Sequence, residues 1–194
     1  MRCLRSGGSI GGICRPSTGS HIAILTFTAK IAACNNAALW PKLPLPSSAS
    51  PRFINLNKRL VKTPKTYLRD SGLLHALLGI KTVDDLLSHP MMGYSWEGSV
   101  LEHISQLAPR GAEVMFYRTA AGAEMDVVVQ HGSQTTCFEI KSSSAPKITQ
   151  GFYNAMQDLK PDATFIVAQV DKRYAFSHQV EVIGLADIAG ALQG

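Results

Sequence analysis

The hydrophobic and polar positions change their rhythm twice along the chain. Up to about residue 50 no helical or strand period is sustained. Glycines and serines cluster early and Pro41, Pro44 and Pro46 follow, which predicts a poorly structured N-terminal segment. From about Arg52 compact elements appear with proper punctuation. Residues 66–68 are a short extended stretch, Asp70 is placed to cap a helix over GLLHALLG, and Gly79 is placed to close it. Thr82 and Asp85 have capping-box spacing ahead of Leu86 and Leu87, and His89-Pro90 ends that element. Trp96, Val100, Leu101, Ile104 and Leu107 keep helical spacing from near Ser95 to a stop at Pro109.

After Gly111 the period becomes 2. Residues 113–118 (EVMFYR), 124–130 (EMDVVVQ) and 135–141 (TTCFEIK) read as three successive strands joined by short turns, so a meander is expected. A loop over 142–146, a helix over 148–159 stopped by Pro161, a buried strand over 163–168, a last strand over 179–184 and a short helix over 185–192 complete the pattern. This order predicts the α/β class, a mixed central sheet with flanking helices.

Three charges interrupt the apolar strands. Alternation puts Glu124, Asp126 and Val128 on one face and Met125, Val127 and Val129 on the other; Cys137, Glu139 and Lys141 share a face opposite Phe138 and Ile140. If the two strands are neighbours, Asp126, Glu139 and Lys141 converge. Two carboxylates with a lysine can hold a hard divalent cation such as Mg²⁺ and meet a phosphate, which is phosphodiester-hydrolysis chemistry. The ordinary structural reading of the same pattern is the wet face of an antiparallel sheet.

Charge divides the chain. The formal net charge is +5, but residues 1–69 hold 11 Lys and Arg with no acid, whereas residues 70–194 hold 8 basic and all 14 acidic residues. The first part therefore carries +11 and the second −6. Three origins fit the acid-free part: an organellar transit peptide, a basic arm for nucleic acid, and a non-native extension from an upstream start or shifted frame. Its apolar stretch, 22–34, spans 13 residues, short of the roughly 20 needed to cross a bilayer, so no membrane partner is expected. SGGSIGG lacks the Gly-Lys-Ser/Thr ending of a phosphate-binding loop. Cys3, Cys14, Cys34 and Cys137 match no zinc or redox spacing and read as reduced thiols of a cytoplasmic protein.

Longer phrases carry a resemblance. Gly93-Tyr-Ser-Trp-Glu97-Gly-Ser-Val100 on a helix, Gly122-Ala-Glu-Met-Asp126-Val-Val-Val and Phe138-Glu139-Ile-Lys141-Ser-Ser on strands are similar to the PD-(D/E)XK, restriction-endonuclease-like pattern. With KRLVKTPKTYLRDSGLLHALLGI (58–80), SWEGSVLEHI (95–104) and GFYNAMQDLKPD (151–162), the chain resembles the domain of unknown function at the C-terminal end of prokaryotic AAA+ family ATPases. The likeness covers roughly residues 52–194, leaving 1–51 as the basic segment.

The resemblance implies that Glu97 is the helical carboxylate, Asp126 and Glu139 the metal ligands, and Lys141 the catalytic or phosphate-directed lysine, with Mg²⁺ the cofactor of an active site. Glu102 competes with Glu97, but five residues place it about 140° around the helix, so both cannot face one site. Glu124 shares the Asp126 face, and Arg118 reads as a phosphate contact or a partner for Glu124. With no phosphate-binding loop, no ATPase activity is expected from this chain alone, and a fragment of the larger ATPase is expected. Two readings stay open: an accessory domain for docking or substrate recruitment, and a Mg²⁺-dependent DNA endonuclease module. DNA affinity would draw on Lys58, Arg59, Lys62 and Lys65 or on a partner module.

Overall fold

The computed structural model describes residues 42–45, Leu60 and residues 65–193. The basic segment up to Trp40, together with Lys58, Arg59, Lys62, Cys3, Cys14 and Cys34, lies outside them. Strand β1, Lys42–Leu45, lies inside and pairs antiparallel with β2, Lys65–Leu68. The described residues all belong to one compact unit, Pro41–Gly194. Pro44 lies within this pairing, opposite Thr66.

Helix α1, Ser71–Leu78, starts where the Asp70 carboxylate accepts the Leu73 N–H at 2.8 Å. It ends at Gly79, whose φ of 73° suits glycine. Helix α2, Val83–Ser88, carries the expected reciprocal box: Thr82 Oγ1 accepts the Asp85 N–H and the Asp85 carboxylate accepts the Thr82 N–H, both at 3.1 Å. Helix α3, Met92–Leu107, begins three residues earlier than the apolar spacing shows.

The meander is present. Strands β3 (Glu113–Arg118), β4 (Glu124–His131) and β5 (Gln134–Ile140) pair antiparallel in sequence order. Helix α4, Gln150–Leu159, crosses over to β6, Ala163–Val167, which runs parallel to β5. Strand β7, Tyr174–Ser177, escaped the sequence reading because its mostly exposed side chains leave no apolar alternation. It pairs with β8, Val180–Ile183, giving a six-strand order β3-β4-β5-β6-β8-β7. A 3-10 turn, Leu185–Asp187, leads into the last helix, α5, Ile188–Ala191.

Both faces of this mixed sheet are covered. Val100, Leu101 and Ile104 of α3 and Ile188 of α5 pack on Phe116, Val127, Val129, Phe138 and Val167. Phe152, Ala155 and Leu159 of α4 pack on Met115, Met125, Val128, Cys137 and Ile166 on the other side. The α/β class with flanking helices is therefore observed. No helix among the described residues is long and apolar enough to cross a membrane.

One expectation about faces is overturned. Strict alternation groups Met125 with Val127 and Val129, but Met125 packs with Val128, while Val127 and Val129 pack opposite. The cause is a β-bulge: Met115 opposes Val128 and Tyr117 opposes Met125, so Phe116 alone faces both Asp126 and Val127.

Candidate functional site

The bulge sets the position of Asp126. Beyond it, the carboxylate reaches the N-terminal half of α3 and strand β2 instead of following Val128. Asp126 Oδ1 accepts from Lys65 Nζ at 3.0 Å, and Oδ2 accepts the backbone N–H of Ile140 at 3.0 Å. The second bond ties β4 to the end of β5, where Glu139 and Lys141 emerge. Lys141 Nζ donates to Glu139 Oε1 at 2.6 Å.

Glu139 is the most deeply placed of the charged groups, with its side chain 7% exposed. Burial, followed by the negative charge of Asp126, pushes its carboxyl up to about 7 against the opposing pull of Lys141. Burial lowers the Lys141 ammonium, but the charge of Glu139, then Asp126 and Glu97, holds it above its ordinary range. Glu139 Oε2 is buried without a hydrogen-bond partner.

Glu97 enters from α3. It accepts from Lys65 at 3.2 Å and from the Tyr67 hydroxyl at 2.5 Å. Buried Gly98 packs α3 against β2, where a Cβ would stand in ordinary contact, 3.4 Å from the Tyr67 ring. Glu102 points elsewhere and forms a two-pronged pair with Arg69 at 2.7 and 2.8 Å. The structure thus brings Glu97, Asp126, Glu139 and Lys141 together and leaves Glu102 out. Glu124 joins them, 3.3 Å from Lys65 and paired with Arg118. Arg118 is therefore engaged by a carboxylate.

Sequence reasoning missed the centre of this arrangement. Lys65 was expected on a DNA-binding surface, but its side chain is only 15% exposed and its ammonium sits among Glu97, Glu124 and Asp126. Burial lowers its pKa, yet Asp126, then Glu97, outweigh that and hold the ammonium firmly charged. Its methylenes bring Nζ over the Phe116 ring, 5.9 Å from the centroid. Tyr67, two residues on, was also missed; the period-2 placement of Lys65 and Tyr67 on one face of an extended stretch was the available signal.

The oxygen donors Asp126 and Glu139 suit a hard cation, and Mg²⁺ is commonly held by one or two carboxylates with waters completing the shell. The unpaired, buried Glu139 Oε2 fits that use. Among the described residues no three His, Cys, Asp or Glu side chains are grouped to hold a metal. Cys137 lies buried in the α4 core, where burial pushes its thiol up, so it supplies no ready thiolate.

The model of the domain of unknown function DUF4143 matches residues 92–188, half of the chain. The chain belongs to this family. The matched stretch includes Glu97, Asp126, Glu139 and Lys141, whereas Lys65 and Tyr67 lie before it. The chain is 38% identical over 135 residues to the uncharacterized protein Rv2008c of Mycobacterium tuberculosis and, equally, to the uncharacterized protein Mb2031c of Mycobacterium bovis. Those alignments cover 69% of this chain but only 30% of each relative. No solved structure matches.

Proposed function

We propose that the chain is the accessory domain of a larger, ATP-binding AAA+ family ATPase, with a restriction-endonuclease-like fold used for docking or substrate recruitment. One observation carries this reading: the Lys65 ammonium already pairs with Glu97, Glu124 and Asp126, so these carboxylates are engaged by the chain itself. Alignment with under a third of each mycobacterial relative supports a module within a longer protein. The helix–strand–strand placement of Glu97, Asp126 and the Glu139–Lys141 pair supports the fold assignment.

A second reading, a Mg²⁺-dependent DNA endonuclease module, is favoured by the unpaired Glu139 Oε2 beside Asp126. Asp126 and Glu139 would hold the ion, whose chemistry is charge neutralisation on a phosphate and a lowered pKa for a bound water. Lys141 would orient the attacked phosphate as a compact cation. Incubation of supercoiled and linear DNA with the protein and Mg²⁺ separates the two. The accessory reading expects no cleavage above background; Mg²⁺-dependent cleavage that disappears in folded Asp126→Ala and Lys141→Ala proteins replaces it with the endonuclease.

A further inference from the structure

The position of Lys65 has a chemical logic of its own. An ammonium has three N–H donors, and Lys65 Nζ meets three carboxylate oxygens: Asp126 at 3.0 Å, Glu97 at 3.2 Å and Glu124 at 3.3 Å. Those separations suit N–H···O contacts and are far longer than the roughly 2.0–2.1 Å of Mg²⁺–oxygen bonds. The three oxygens are therefore spaced around an ammonium.

Both oxygens of Asp126 are engaged, one by Lys65 and one by the Ile140 N–H. Glu139 has one oxygen on Lys141 and the other, Oε2, buried and unpaired. Asp126 and Glu139 would hold a divalent cation, and an ion drawn to Asp126 would compete with the Lys65 ammonium for the same carboxylate. Lys65 lies on β2, whose pairing with β1 is made by the backbone, so a change of its side-chain rotamer leaves the strand pairing in place.

We propose that Lys65 is a resident counter-cation that masks a divalent-cation site at Asp126 and Glu139, and that ammonium and metal occupy Asp126 in mutual exclusion. The proposal rests on reading Asp126 and Glu139 as cation ligands. It makes the site a cation exchanger: metal enters as Lys65 leaves, and the freed lysine becomes available to an anionic group beside the ion.

The test uses the full chain with Mn²⁺ as probe, followed by titration calorimetry. Lys65→Met, which keeps the stem and deletes the charge, is expected to bind one Mn²⁺ at least tenfold more tightly than the unaltered protein, and adding Glu139→Gln should abolish the gain. Equal or weaker binding by Lys65→Met, with the unaltered protein still binding, overturns the exclusion while leaving the cation site standing. Absence of Mn²⁺ binding in both proteins removes the cation site and the proposal together. A second measurement needs no substitution: saturating Mn²⁺ should raise amine-reactive labelling of Lys65 severalfold, with exposed Lys81 as the unchanged control. Unaltered labelling of Lys65 overturns the proposal even if Lys65→Met fails to fold.

Discussion

Asp126 accepts the backbone N–H of Ile140 through Oδ2 at 3.0 Å, so a strand carboxylate also fastens its neighbouring strand. Asp126→Ala leaves that N–H unpaired and takes one partner from Lys65, which should destabilise by about 2–4 kcal/mol. Asp126→Asn keeps an acceptor for Ile140 and should lose less than half as much. Urea unfolding followed by circular dichroism measures both; equal losses would show that the Ile140 bond contributes nothing.

Glu139 gives the site a pH signature. Its carboxyl is pushed up to about 7, foremost by burial, from an ordinary value of 4.5, so the folded protein binds this proton more tightly than the unfolded chain. Stability from this group is full below about 4.5 and declines as pH rises through about 7. A carboxyl carbon titration should show a midpoint near 7, and Glu139→Gln should flatten the decline in midpoint temperature across that window. An ordinary midpoint would contradict the burial of this charge.

The two carboxylates of α3 should differ in coupling. Arg69 is 42% exposed, so its pair with Glu102 sits in a strongly screened setting, and a double-mutant cycle should return below about 1 kcal/mol. The Lys65–Glu97 pair is more buried and shares the ammonium with two other acids. Its cycle should give the larger coupling, with weaker dependence on salt. A larger value for Arg69–Glu102 would reverse this picture.

Gly151 is a close-approach position: a Cβ there would lie 2.5 Å from the Gly122 carbonyl oxygen in the β3–β4 turn. Gly151→Ala should therefore destabilise by about 1–3 kcal/mol, because backbone must move. At Gly190 an added Cβ meets nothing within 4 Å. Gly190→Ala should be neutral or stabilising by up to about 1 kcal/mol. Thermal melts of both variants check the contrast.

Much of the architecture was legible because local signals agreed with tertiary ones. Asp70, Thr82 and Asp85 cap the helices they were expected to cap, and the meander follows its period-2 runs. The bulge at Asp126 and Val127 was not legible, since alternation counts residues and cannot see one that is left unpaired. Asp126, Glu139 and Lys141 were singled out by alternation on strands that prove to be neighbours, and Glu97, which enters from α3, by the resemblance. Lys65 was hidden by its surroundings: among lysines and arginines its charge looked like part of a basic patch, whereas its partners come from 32 to 61 positions away.

The pairing of β1 with β2 is more than an added edge. Lys65 opposes Leu45 and Thr66 opposes Pro44, and a one-residue slip of β2 would turn Lys65 to the other side of its strand. With every carboxyl ionised, Glu97, Glu124, Asp126 and Glu139 against Lys65, Arg118 and Lys141 sum to a formal −1; losing Lys65 makes it −2. Strand register upstream of the family-matched region thus acts as a charge setting for the acids inside it.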